Sequence, residues 1–152
     1  MNARSILVAA LALCLAAGAF LFHRDYEYRK VNGTVTQVSL TTWEQEVEKA
    51  RTTRPVLIYF YRENDKTPAN EAQNKAVADF AWSTAGKVKV VAVNVGHFEN
   101  LPLAIAHGSF RQPGFVLISG DDFVSGPSGV VSTKEDLMRL LESLPQSQPQ
   151  KP

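Results

Sequence analysis

The stretch Val56 to Tyr61, six consecutive apolar or aromatic residues, constrains the fold more than any other part of the chain. It is too short for a buried helix and is rich in strand formers. It lacks the polar alternation that would give it a wet face, so it reads as a central strand covered on both sides. Such a strand needs neighbours along both edges and helices above and below. Val88 to Val95 supplies a second buried strand and Phe115 to Ile118 a third. Val35, Val38 and Leu40 mark a first strand over 35–40, and Phe123 to Ser125 a short edge strand.

Helical patterns fill the intervals. Thr41 to Glu44 and Thr42 to Gln45 are both candidate capping boxes, followed by Trp43, Val47 and Ala50 on one face, with an end near Thr53 before Pro55. Thr67 caps a long helix that starts at Pro68 and runs to about Ala85, with Ala72, Ala76, Val77 and Phe80 as its buried stripe. Leu101 to Ala106 is a short helix ended by Gly108. Ser132 to Glu135 forms a capping box before a last helix carrying Leu137, Leu140, Leu141 and Leu144. Trp43 and Trp82 are expected to pack helices onto the sheet. The 152 residues suffice for one such α/β domain and hardly for two.

Outside that domain, Ile6 to Phe22 is a run of 17 residues without a charge. As a helix it reaches about 26 Å, just short of a hydrocarbon core of ~30 Å. Two readings compete: an uncleaved anchor, favoured because Phe20 to Phe22 continue the apolar run, and a secretory signal cleaved at the small residues Ala17, Gly18 and Ala19. The chain therefore divides into a signal-anchor or transmembrane helix (1–22), a juxtamembrane linker (23–34), the domain (35–144) and a Pro- and Gln-rich disordered tail (145–152). The short segment before the apolar run has the form of an export signal. That places the domain on the extracytoplasmic, periplasmic side of an inner or plasma membrane, or makes it secreted if the segment is cleaved.

The net charge of +1 includes Arg4, and from His23 onward 15 basic residues balance 15 acidic ones. No basic footprint points to nucleic acid. His97 and His107 are ten residues apart and match no common ligand spacing, so no metal is expected. Phosphate-binding glycine loops and hydrolase elbows are absent, and no cofactor is implied. Cys14, inside the apolar run, is the single cysteine, so dithiol chemistry within the chain is excluded.

The order strand, helix, strand, helix, strand, helix, strand, strand, helix resembles the thioredoxin fold, a three-layer sandwich with helices on both faces of a mixed sheet, here preceded by one N-terminal hydrophobic helix. The segment His107 to Ile118 carries the resemblance most specifically. Gly108 is followed five residues later by Pro113, which opens an apolar strand as the cis-proline of that family does. Gly129-Val130-Val131-Ser132 before the last helix is similar to the family's terminal glycine segment. The departure lies at the family's reactive pair, where Asp65 and Pro68 stand in place of the two cysteines. Tyr59 occupies the place of its buried acid. The resemblance thus implies a redox-inactive member of the fold.

In that register Tyr61, Asn64, Asp65, Arg111, Gln112, Pro113 and Gly114 gather on the face where active relatives bind extended peptides, with the backbone of Gln112 as the edge offered. A plain solvated loop is the competing reading. For Asp65, a helix-capping role accounts for the residue without catalysis. The expected function is a membrane-tethered binding module that holds or helps assemble another envelope protein. The alternatives are an accessory subunit of a secretion, conjugation or respiratory assembly acting through its transmembrane helix, and a non-thiol envelope enzyme using Asp65, His97 and Tyr61.

Overall fold

The computed structural model of the chain describes residues 3–63, 67–109 and 111–145, with side chains from residue 10 onward. The elements begin with α1 (Ala3–Asn32), β1 (Val35–Gln37) and a π-helical turn (Glu44–Glu48) that continues into α2 (Lys49–Arg51). They continue with β2 (Val56–Tyr61), α3 (Pro68–Ser83), β3 (Lys89–Asn94), a 3-10 turn (Phe98–Asn100) and α4 (Leu101–Ala106). The last three are β4 (Gly114–Ser119), β5 (Asp122–Ser128) and α5 (Lys134–Glu142).

The all-apolar stretch lies at the centre of one five-stranded sheet ordered β1-β3-β2-β4-β5. It pairs in parallel with β3, from Val56 opposite Lys89 to Tyr61 opposite Asn94, and antiparallel with β4, from Val56 opposite Ile118 to Phe60 opposite Gly114. Its side chains alternate between two buried clusters. Val56, Ile58 and Phe60 pack with Trp43, Val47 and Leu103 on one face, while Leu57 and Tyr59 pack with Val77, Phe80 and Leu137 on the other. Each fully buried aliphatic or Phe side chain contributes roughly 1.5 to 3 kcal/mol, so this strand can exist only with both helical layers in place. The expected α/β sandwich of mixed sheet and flanking helices is thereby present.

Several local expectations are corrected. The first strand stops at Gln37, although the Val38 N–H still bonds to the Ala92 carbonyl at 2.9 Å. Neither proposed capping box opens the helix after it, because Thr42 Oγ1 accepts from the Ser39 N–H instead. The edge strand is longer than expected, Asp122–Ser128. In α3 the buried stripe is Gln73, Val77, Phe80 and Ala81, while Ala72 is exposed and Ala76 only partly covered. The shift follows from Gln73, whose amide donates to the Ser132 carbonyl at 3.1 Å and accepts from the Ser132 N–H at 2.6 Å. With its N–H so engaged, Ser132 is buried and the capping box of α5 moves on by one residue, to Thr133 and Asp136.

The segment 23–34, read as a bare linker, is helical to Asn32 and is seated on α3. Tyr26 meets Trp82 edge to face at 5.6 Å, and Arg29 Nη1 donates to the Trp82 carbonyl at 3.0 Å. The Tyr28 hydroxyl lies against Gly86, whose φ of +76° and missing Cβ make room for it. Trp82 accordingly covers the end of α1 rather than the sheet, and is 38% exposed. The expected membrane run begins among residues whose side chains are not described. Among the described residues no helix is long and apolar enough to cross a membrane. The tail beyond residue 145 lies outside the described residues.

Replacing Gln73 by Leu leaves both backbone groups of Ser132 buried without their partner. Chemical denaturation is expected to show a loss of roughly 1 to 3 kcal/mol. An unchanged midpoint would mean that this bond does not hold α5 to α3.

Candidate functional site

The candidate site forms where β2 and β4 end together. Gly114, the first residue of β4, pairs with Phe60 near the C-terminal end of β2, so the preceding Gln112-Pro113 peptide, which is cis, is delivered to the exit of β2. A cavity of about 320 Å³ opens there, lined by Tyr59, Tyr61, Arg62, Asn70, Gln112 and Pro113. Three of the expected residues, Tyr61, Gln112 and Pro113, are thus brought together beside the first turn of α3, which Thr67 caps by accepting from the Asn70 N–H. Among the described residues neither the N–H nor the carbonyl of Gln112 finds a hydrogen-bond partner.

Other expected members play different parts. Gly114 presents no contact surface, because a Cβ there would collide with Ser109 Oγ and approach the Arg111 carbonyl to 3.0 Å. Arg111 is exposed, with its side chain lying over Gly129 and its carbonyl accepting from Ser128 Oγ at 2.8 Å. Asn64 and Asp65 lie outside the described residues.

The floor of the site is aromatic. Tyr61 stacks on Tyr59 at 5.3 Å, and Tyr59 on Phe115 at 5.2 Å. The Tyr59 hydroxyl donates to Asn74 Oδ1 at 3.0 Å and that of Tyr61 to Gln37 Oε1 at 2.9 Å. Burial, with a smaller contribution from the Tyr61 charge, pushes the Tyr59 phenol up to about 12. Tyr61 is raised as well, by burial first and the Glu63 carboxylate second, against the opposing hydrogen bond to Gln37. A phenol held neutral in this way cannot accept a proton from a thiol at physiological pH. No thiol is at hand either, since Cys14 is an exposed residue of α1.

A second cleft of about 550 Å³ lies on the other side of Tyr61, with Gln37, Glu63, Asn94, His97 and Glu99 in its wall. Two asparagines that sequence reasoning missed build it. Asn100 Nδ2 donates to the Asn94 carbonyl at 3.0 Å while its Oδ1 accepts from the Leu40 N–H at 2.9 Å. Asn94 in turn donates to Glu63 Oε2 and accepts from the Gly96 N–H, both at 2.9 Å. The available signal was a polar residue ending an otherwise apolar strand. His107 stands elsewhere, its Nδ1 2.8 Å from the Leu103 carbonyl and its ring 4.9 Å from Trp43. Among the described residues no cluster of metal-ligating side chains occurs.

Sheet order, the two helical layers and the cis-proline beside the first turn of the long helix define a thioredoxin-like fold. Comparison with solved structures agrees. A chain from the crystal structure of ferredoxin:thioredoxin reductase in complex with thioredoxin f2 is similar with a TM-score of 0.58 and 20% identity, covering 73% of this chain and 94% of that one. Chloroplastic thioredoxin z is similar at 0.57 and 19%, covering 72% and 92%. A malarial protein is similar at 0.50 and 14%, covering 59% and 96%. By sequence, no family description and no curated protein matches the chain.

The Tyr59 phenol has a consequence for pH dependence. Its folded pKa of about 12 lies above the ordinary value of 10.0, so its contribution to stability is complete below pH 10 and is lost as pH rises toward 12. Denaturation midpoints measured across that window should fall less steeply in Tyr59→Phe than in the parent. Superimposable profiles would contradict the burial of this hydroxyl.

Proposed function

We propose that the chain is a redox-inactive thioredoxin-fold binding module, tethered to a membrane by residues 6–22, that holds or helps assemble another envelope protein. The observation that carries the reading is the open backbone of Gln112 beside Tyr61 and Pro113, at the place where the fold accepts extended peptides. The proposal places the 17-residue uncharged run in the bilayer and the domain on the extracytoplasmic side. In support, Leu13, Leu15 and Phe22 of the uncharged run are each more than two-thirds exposed, at 71%, 68% and 75%, so apolar surroundings would suit them.

The seat of α1 on α3 supports a tether that also orients. A neighbour in the same membrane then meets the face at a raised effective concentration, so modest affinity suffices. Chemistry is not required of the site, and no turnover of a disulfide substrate by the full chain is expected above the background of a free thiol.

Affinity purification of the full chain from native membranes, followed by mass spectrometry, tests the reading. One partner should persist when residues 6–22 are exchanged for an unrelated apolar anchor, and fall at least about tenfold in Tyr61→Ala and Arg62→Glu. A partner lost with the anchor exchange but kept by both site variants would instead support a subunit acting through its transmembrane helix. Loss of cellular function in Asp65→Ala or His97→Ala with partner capture intact would support an enzyme.

A further inference from the structure

The strand-end face carries two clefts of opposite electrostatic character, and Tyr61 is a wall of both. In the cleft beside Pro113 the one charged residue among the described lining residues is Arg62, beside neutral Tyr59, Asn70 and Gln112. In the cleft on the other side the charged residues among the described lining are Glu63 and Glu99, with no Lys or Arg among them. Asn94 donates to Glu63 at 2.9 Å, which orients the carboxylate without neutralising it. Among the described residues none of Arg62, Glu63 and Glu99 forms an ion pair, and all three are exposed. Just outside the second cleft, between His97 and Glu99, Phe98 is 86% exposed. Phe98 is thus an exposed aromatic at the rim and not a part of either core cluster.

We propose that these two clefts form one groove for an extended peptide segment of bipolar charge. An acidic side chain lies against Arg62 in the Pro113 cleft. A basic side chain lies against Glu63 and Glu99 in the other, and an apolar side chain between them covers Tyr61. The volumes, about 320 and 550 Å³, each accommodate side chains of that size. Charge order then selects the partner and fixes the direction in which its chain crosses the sheet end, since a segment laid in reverse meets like charge at both ends. This inference rests on the peptide-binding reading above and adds the chemistry of the peptide.

A phage-displayed library of random peptides, panned on the full chain in detergent micelles, tests it. Selected sequences are resynthesised and their Kd measured by fluorescence polarisation. Enriched peptides should carry one acidic and one basic position in a fixed order around an apolar residue. The double variant Arg62→Glu with Glu99→Lys, which alters exposed residues only, should weaken them at least about tenfold. A peptide with its two charged positions exchanged should bind that variant more tightly than the original peptide does, although Glu63 remains in the second cleft. Peptides that need Tyr61 but show no charge order, or that bind the double variant unchanged, would overturn the bipolar groove and leave the binding face standing. Failure of any peptide to enrich would sink both.

Discussion

The last pairing of β2 with β4, Phe60 opposite Gly114, sets the position of everything that gives this face its character. A slip of one residue would turn Val116 and Ile118 from one buried cluster to the other and expose apolar surface on both sides. Because that slip is prohibitive, the loop before Gly114 has one possible landing place, at the end of β2. Ser109 and Arg111 close around Gly114 so tightly that no side chain fits there. The Gln112 backbone, unpaired among the described residues, is therefore positioned by a buried core rather than by a loop free to choose its conformation.

The same core sustains the fold without a cysteine pair at the sheet end. In thioredoxin-like chains a cysteine pair sits on the surface at a helix start, and a buried acid lies beneath it. Here Tyr59 fills the place of the acid, stacked on Phe115 and bonded to Asn74, so that a phenol and an amide satisfy each other where a charge would have needed solvation. Shape at the sheet end is present without a cysteine pair. A scaffold of this kind can still work through recognition.

Much of this was legible in the residues. Apolar runs such as Val56 to Tyr61 report burial directly, and Pro113 before an apolar strand marked the turn that brings the face together. The misses have a common cause, which is polar residues acting over long separations. Gln73 reads as a surface residue of a helix until Ser132, 59 residues away, is seen to bond to both ends of its amide. That bond also displaced the capping box by one residue. Asn94 and Asn100 build the second cleft by bonding to backbone groups that no local pattern identifies. Likewise Tyr26, Tyr28 and Arg29 read as parts of a linker because their partners on and beyond α3, Trp82 and Gly86, are distant in sequence. Periodicity reports which side is dry, but it does not report which polar groups meet.

The most direct measurement of the central claim is site-specific photocrosslinking in native membranes, with a photoreactive residue placed at position 112 in one chain and at position 13 in another. If recognition resides in the sheet-end face, position 112 gives an adduct of one defined mass, and the adduct disappears in the Tyr61→Ala background. Adducts from position 13 together with none from position 112 would contradict the account and move the site of action into the N-terminal helix.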